Sequence, residues 1–213
     1  NHKVDFPYDK ERPLQLFKEY LQQGFYPFFK EKGYFIRLQS IVNQTLENDI
    51  PTFAKMNITT AQKIKKLLYI IAKSVPFKPN FTKLATLLDI NRNTVSDLMC
   101  YLEKAGMINQ LRSDTEGIRL LGKVDKVYLN NTNLAYALAN NVPDIGNIRE
   151  TVFFSTMKAT HPIVTSSVSD FSIGDYTFEI GGKNKTQKQV RDVENAYIVK
   201  DDIEYGMRNI IPL

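Results

Sequence analysis

The stretch NFTKLATLLDINRNTVSDLMCYLEKAGMI, residues 80–108, constrains the fold more than any other part of this chain. Leu84, Leu87 and Leu88 recur at the spacing of one short helix. Val95, Leu98, Met99 and Leu102 recur at the spacing of a second, after a tight break. Asn91 or Asn93 supplies the side-chain oxygen that caps the second helix, and Gly106 ends it. Upstream, ITTAQKIKKLLYIIAKSV predicts a longer helix with Ile64, Leu67, Leu68 and Ile71 as its apolar stripe and Thr59 or Thr60 as its cap. Downstream, MINQLRSDTEGIRLLGKVDKVYLNN reads as a strand, a turn at Ser113–Gly117 and one or two return strands. Three helices followed by a hairpin is the order of a winged helix-turn-helix, whose second motif helix enters a major groove.

The flanks divide the chain into three segments, 1–53, 54–129 and 130–213. In the first, RPLQLFKEYLQQGFYPFF predicts a helix on Leu14, Phe17, Tyr20 and Leu21 that stops at Gly24. YFIRLQSIVNQTLENDIP predicts another that closes near Pro51. The Phe25, Tyr26, Phe28 and Phe29 cluster fits either a core or a docking surface. In the third segment TNLAYALANN gives a short helix, and NIRETVFFSTMKATH a longer one with Ile148, Val152, Phe153 and Met157 on one side. A hairpin, a segment helical around KTQKQVRDVE and the strand AYIVK follow. That αββαβ order predicts a small mixed sheet with helices packed on it, so the fold class is α+β.

Charge is concentrated in the middle. Residues 54–129 carry 13 Lys and Arg against 6 Asp and Glu, a balance of +7, within a chain whose net charge is +5. Two readings fit: an electrostatic patch for an acidic partner, nucleic acid first, or a solvated lysine-rich face. For the first reading the contact residues are Arg92, Asn93, Thr94 and Ser96 at the start of the second motif helix, Lys83 on the helix before it, and Arg112 and Arg119 on the wing. For the second, the same winged helix serves protein contacts and Asn91 and Asn93 are caps only.

Other classes are excluded or left without support. No apolar run is long enough to span a bilayer, so no membrane is expected as a partner, and the first residues have no signal-peptide core. Cys100 is the only cysteine, which excludes an internal disulfide and predicts a reducing cytoplasm. Its place beside an apolar stripe predicts a small buried side chain. His2 and His161 with one cysteine make no zinc set. A start without methionine and an end on NIIPL are what a piece of a longer protein would show.

VSDFSIGDYTFEIGGKNKTQKQV, residues 168–190, carries the candidate chemistry. A two-residue turn at Gly174–Asp175 suits a type II′ hairpin and sets Asp170 directly opposite Glu179. Like charges so placed repel unless a cation lies between them, and hard oxygen ligands suit Mg²⁺ or Mn²⁺. A register slip of one residue leaves an ordinary surface hairpin instead.

This helix–strand–strand order resembles the core of the PD-(D/E)XK nuclease superfamily. The resemblance implies Glu150 in IRETVFF as the helix acid, and Asp170 in SDF and Glu179 in FEIGGKNK as the strand acids. It implies that all three hold Mg²⁺ or Mn²⁺ if the site is active. The lysine of that pattern stands two residues after the second acid, where this chain has Gly181. Lys183 and Lys185 are the nearest lysines, with Lys183 the candidate to swing back and Gln187 a stand-in for a helix glutamine. That departure points to a degenerate or inactive nuclease-like fold, with an active Mg²⁺-dependent DNA nuclease as the alternative. The ordered phrases FKEYLQQGFYPFF, LENDIP, NFTKLATLLDINRNTVSDLMCYLEKAGMI, KVYLNNTNLAYAL, IGNIRETVFF and FEIGGKNKTQKQV also resemble the C-terminal region of a prokaryotic AAA+ ATPase family. This implies a link at 1–53 to a P-loop ATPase domain, a winged helix at 54–129 and a nuclease-like domain at 130–213, with DNA and the ATPase domain as partners. GGKNKT, residues 181–186, lacks the Gly-Lys-Ser/Thr run of a phosphate loop, so ATP belongs only to the domain not present in this sequence.

Overall fold

Asparagine and aspartate caps mark where the helices begin. Asn57, Asn80, Asn91 and Asp144 each accept a hydrogen bond from the backbone N–H three residues on, at 2.8–3.0 Å. In a computed structural model describing residues 13–113, 123–138, 142–186 and 190–213, these caps open α4 (Ile58–Ala72), α5 (Phe81–Leu88), α6 (Arg92–Lys104) and α8 (Ile145–Lys158). The cap of α4 is thus Asn57, two and three residues ahead of the expected threonines, and that of α6 is Asn91. Gly106 ends α6 with φ +68°. The stripes predicted for α4 and α6 are buried throughout. On α5, Leu84 and Leu88 are buried but Leu87 faces solvent. Cys100 is exposed, because one step past Met99 turns a side chain about 100° away from the stripe.

Ahead of this unit lie α1 (Pro13–Gln22), α2 (Tyr34–Gln44) and α3 (Ile50–Ala54). Pro51 does not close the second helix. Thr45–Asp49 widens into a π-turn, with Ile50 N–H bonding Thr45 C=O, and α3 runs on through Pro51 to Ala54. The wider turn absorbs the N–H that proline lacks and the bulk of its ring. The helix then stops at Lys55, in the left-handed region.

After α6, β1 (Ile108–Arg112) and β2 (Val124–Leu129) form an antiparallel ribbon. The predicted turn from Ser113 lies, beyond that residue, outside the described residues. Phe77, just after α4, adds a bridge to Val127. One ribbon face, with Ile108, Val127 and Leu129, packs on the helices; the other, with Leu111 and Tyr128, packs on the C-terminal unit. Next comes α7 (Thr132–Leu138), buried against α1, α2 and α4. One core therefore runs from Leu21 through α7 to Ile148 and Val152. The expected divisions after residues 53 and 129 fall inside it.

The C-terminal unit sets α8 on a five-stranded mixed sheet of β3 (Ile163–Thr165), β4 (Phe171–Ile173), β5 (Tyr176–Gly181), β6 (Ala196–Lys200) and β7 (Ile210–Pro212), in that spatial order. The first three strands are antiparallel, and β5, β6 and β7 are parallel. Two strands here, β3 and β7, were not read from the sequence. Of the helix expected around KTQKQVRDVE, residues 187–189 lie outside the described residues, while Lys183–Asn184 and Val190–Asp192 form turns. Among the described residues no helix is long and apolar enough to cross a membrane.

Candidate functional site at the seam of ribbon and sheet

The β4–β5 hairpin forms in the expected register: Phe171 opposes Phe178, Ser172 opposes Thr177 and Ile173 opposes Tyr176. Gly174 takes φ +56° while Asp175 stays at negative φ, the combination a type II′ turn requires. Asp170 lies just before this ladder. One of its oxygens accepts the Ile180 N–H at 2.9 Å; the other faces Lys126 Nζ at 3.5 Å. Lys126 is also 3.1 Å from Glu150 on α8, and the Tyr128 hydroxyl donates to the same Glu150 oxygen at 2.8 Å. Glu150 and Asp170 therefore meet, as expected, but across an ammonium supplied by the ribbon.

Glu179 has a different setting. Along β5, Phe178 and Ile180 face α8 and its Phe153, so the pleat turns Glu179 to the opposite face. There it is 3% exposed. Lys185 pairs with one of its oxygens, and Ser169 Oγ lies 2.6 Å from the other. Lys185 reaches it by lying across Gly181, where a Cβ would stand 2.5 Å from the lysine's Cβ and Cγ. The glycine in the lysine position of the nuclease pattern is thus what lets a lysine four residues later reach the acid. Lys183, the expected candidate, lies on the Asp202 side, where its charge helps hold the Asp202 carboxyl below its ordinary value, after the larger effect of Lys18. Gln187 lies outside the described residues. Gly181→Ala is expected to break the Lys185–Glu179 pair and destabilise the chain by about 1–3 kcal/mol, the range for forcing bulk into a filled site. Thermal unfolding measures it, and an unchanged midpoint would show that the close approach is not needed.

Electrostatics follow from this packing. Burial pushes the Asp170 carboxyl up; the Ile180 N–H opposes that, Glu150 and Glu179 reinforce it and Lys126 opposes it. Burial works against the charged form of Lys126, but Glu150 and Asp170 together outweigh it and raise its pKa. Burial, then Glu150, drives the Tyr128 hydroxyl far above its ordinary value, so it remains a donor. Mg²⁺ or Mn²⁺ does not fit these residues as they stand. Two of the three acids share an internal cation, and the third, near enough to reinforce the rise of the Asp170 carboxyl, is already paired with Lys185 and bonded to Ser169. Among the described residues no three His, Cys, Asp or Glu side chains gather closely enough to hold a metal ion.

A second candidate surface is the start of α6. Arg92, Asn93 and Ser96 are exposed there, Thr94 is half-buried, and Lys83 is exposed on α5. Arg112 is half-buried and turned toward Glu103, 3.9 Å away, in a network where Glu103 also binds Lys158 and Gln110. Arg119 lies outside the described residues. The sequence reading passed over Lys126 and Tyr128, set Lys185 behind Lys183, and on this second face passed over Lys78 and Lys123. The signal for the first two was in KVDKVYL, where Lys126 and Tyr128, two apart on a strand, share a face.

Fold and site thus define an α+β protein in which a helical unit and its ribbon close over the acids of a mixed sheet. The chain belongs to the family described as a domain of unknown function (DUF8612), which matches residues 14–144. The match ends just before α8, so the family's region supplies Lys126 and Tyr128, while Glu150, Asp170 and Glu179 follow it. No curated protein and no solved structure matches the chain.

Proposed function

We propose that this chain is a nucleic-acid-binding module, in which residues 54–129 act as a winged helix-turn-helix and α6 is the helix that meets the nucleic acid. The nuclease-like arrangement of α8 and the mixed sheet is, in this reading, a scaffold that does not cleave. The observation that carries the binding proposal is the exposed first turn of α6, where Arg92 and Asn93 stand free of the core at the centre of the basic segment. The loss of cleavage rests on Lys126, whose ammonium lies between Glu150 and Asp170 where the nuclease pattern needs a metal. We also propose that the module follows a P-loop ATPase domain, as in the AAA+ family its phrases resemble. Exposed Phe25 and Phe29 offer that domain a contact.

Fluorescence anisotropy with a labelled DNA duplex tests the binding reading. Affinity is expected to fall steeply and linearly on a log–log plot as salt rises, and Arg92→Ala to weaken binding about 10-fold. Cys100, exposed on α6 and the only cysteine, is expected to react more slowly with a maleimide when duplex is bound. The same preparation is expected to leave plasmid intact in Mn²⁺. No binding at low salt would end the module reading; plasmid cleavage lost in Asp170→Ala would replace the scaffold with an active nuclease.

A further inference from the structure

We infer that Lys78, Arg92 and Lys123 form a clamp on the phosphate backbone of double-stranded nucleic acid, an inference that rests on the module reading and narrows it. The three cations come from separate parts of the chain, namely the segment before α5, the first turn of α6 and the residue before β2. All line one cleft of about 470 Å³, with Asn80 and Thr82 beside them. Each is exposed, and among the described residues none has a carboxylate partner. Four other lysines of the basic segment are engaged elsewhere. Lys63 and Lys66 bind carbonyls at the end of α5, Lys65 pairs with Glu47, and Lys126 serves the acid site.

The cleft is also held in shape. Phe77 and Val127 exchange both backbone hydrogen bonds, at 3.3 and 3.0 Å, which fixes the segment carrying Lys78 against the strand that follows Lys123. Three preplaced cations around a concave surface suit the regular phosphates of a duplex. A single strand calls for aromatic platforms on which bases stack. Among the described residues the exposed aromatic side chains Tyr20, Phe25, Phe29, Phe53, Tyr176 and Tyr205 all lie outside this cleft, and its one aromatic ring, Phe81, is half-buried.

The test is anisotropy with the whole chain, a duplex of two helical turns and one of its strands alone. Lys78→Ala with Lys123→Ala is expected to lower duplex affinity at least about 10-fold near 50 mM salt and to make the salt slope shallower by about 2. Lys104→Ala, at the far end of α6, is the control and is expected to change neither. Three results would overturn the clamp. Unchanged affinity and slope in the double variant would remove it while leaving the module standing. An equal loss in Lys104→Ala would reduce it to general charge. A single strand bound as tightly as the duplex would refute the choice of nucleic acid. If the unaltered chain does not bind duplex at low salt, clamp and module fall together.

Discussion

Asn133→Ala is expected to destabilise the chain by about 3–5 kcal/mol, the range for a broken buried polar network. The residue is fully buried at the start of α7 and uses its whole amide. Its oxygen accepts from the backbone N–H of Gly24 and Phe25, at 2.9 and 3.0 Å, and from the Tyr34 hydroxyl. Its nitrogen donates to the carbonyls of Tyr20 and Leu21, both at 3.0 Å. Alanine would take a partner at once from two backbone donors, a buried phenol and two carbonyls, of which only that of Leu21 keeps another side-chain donor, the Thr132 hydroxyl. The Tyr34 hydroxyl, whose pKa burial and then Tyr26 push up to about 12, has no ionised form to fall back on near neutrality. Asn131 and Thr132 add bonds to Tyr26 and to the Leu21 carbonyl, so the NNTN run stitches α1 and the aromatic turn onto α7. Asn133→Asp keeps the acceptor and loses the two donated bonds, so it should fall between the native chain and alanine. Urea unfolding followed by far-UV circular dichroism measures both. An alanine variant within 1 kcal/mol of the native chain would mean that water replaces the network, about what one ordinary hydrogen bond contributes.

What could be read from the sequence was local. The stripes of α4 and α6 follow from period alone, and the II′ register follows from Gly174, because a two-residue turn leaves one pairing. Pro51 misled because the rule it follows holds for a regular helix, and a π-turn suspends it. Cys100 misled because adjacency to a stripe in sequence is not adjacency on the helix surface. The short edge strands β3 and β7 have three residues each, too few for alternation to stand out.

The candidate site divides along the same line. Glu150, Asp170 and Glu179 were found because their spacing fits a known pattern. Lys126 was not, because it lies 24 residues from Glu150 on an element assigned to another unit. A strand whose two faces are both buried shows no apolar alternation, and VDKVYL hides a polar face that meets a polar site. Asn133 was hidden for a similar reason: an asparagine run reads as a turn, and only the tertiary structure shows its partners some 110 residues away.

Lys126→Met is expected to destabilise the chain by about 2 kcal/mol near neutral pH, lowering the unfolding midpoint by roughly 4–8 °C for a chain of this size. Methionine keeps the stem and its packing but removes the charge that separates Glu150 from Asp170. Both acids are less than one-quarter exposed at their side chains, so water screens them poorly. The pH dependence identifies the cause. A carboxyl whose folded pKa is raised, as for Asp170, binds its proton more tightly folded than unfolded. Stability is therefore lost as pH climbs from the unfolded value, about 3.9, through the folded one. Removing Lys126 takes away an influence that lowers the Asp170 pKa, so the penalty should grow toward pH 7 and shrink toward pH 4. Lys126 itself, with a raised folded pKa, stabilises at every pH below its unfolded value near 10.4 and stops doing so only as pH rises through the folded one. Asp170→Asn in the Lys126→Met background should return most of the loss, since the amide removes the repulsion. A deficit in Lys126→Met that is equal at pH 4 and pH 7 and survives Asp170→Asn would show that the lysine contributes through packing and hydrogen bonds. The internal cation would then not be what reconciles the two acids, and the argument for a site that has lost its metal would lose its physical basis.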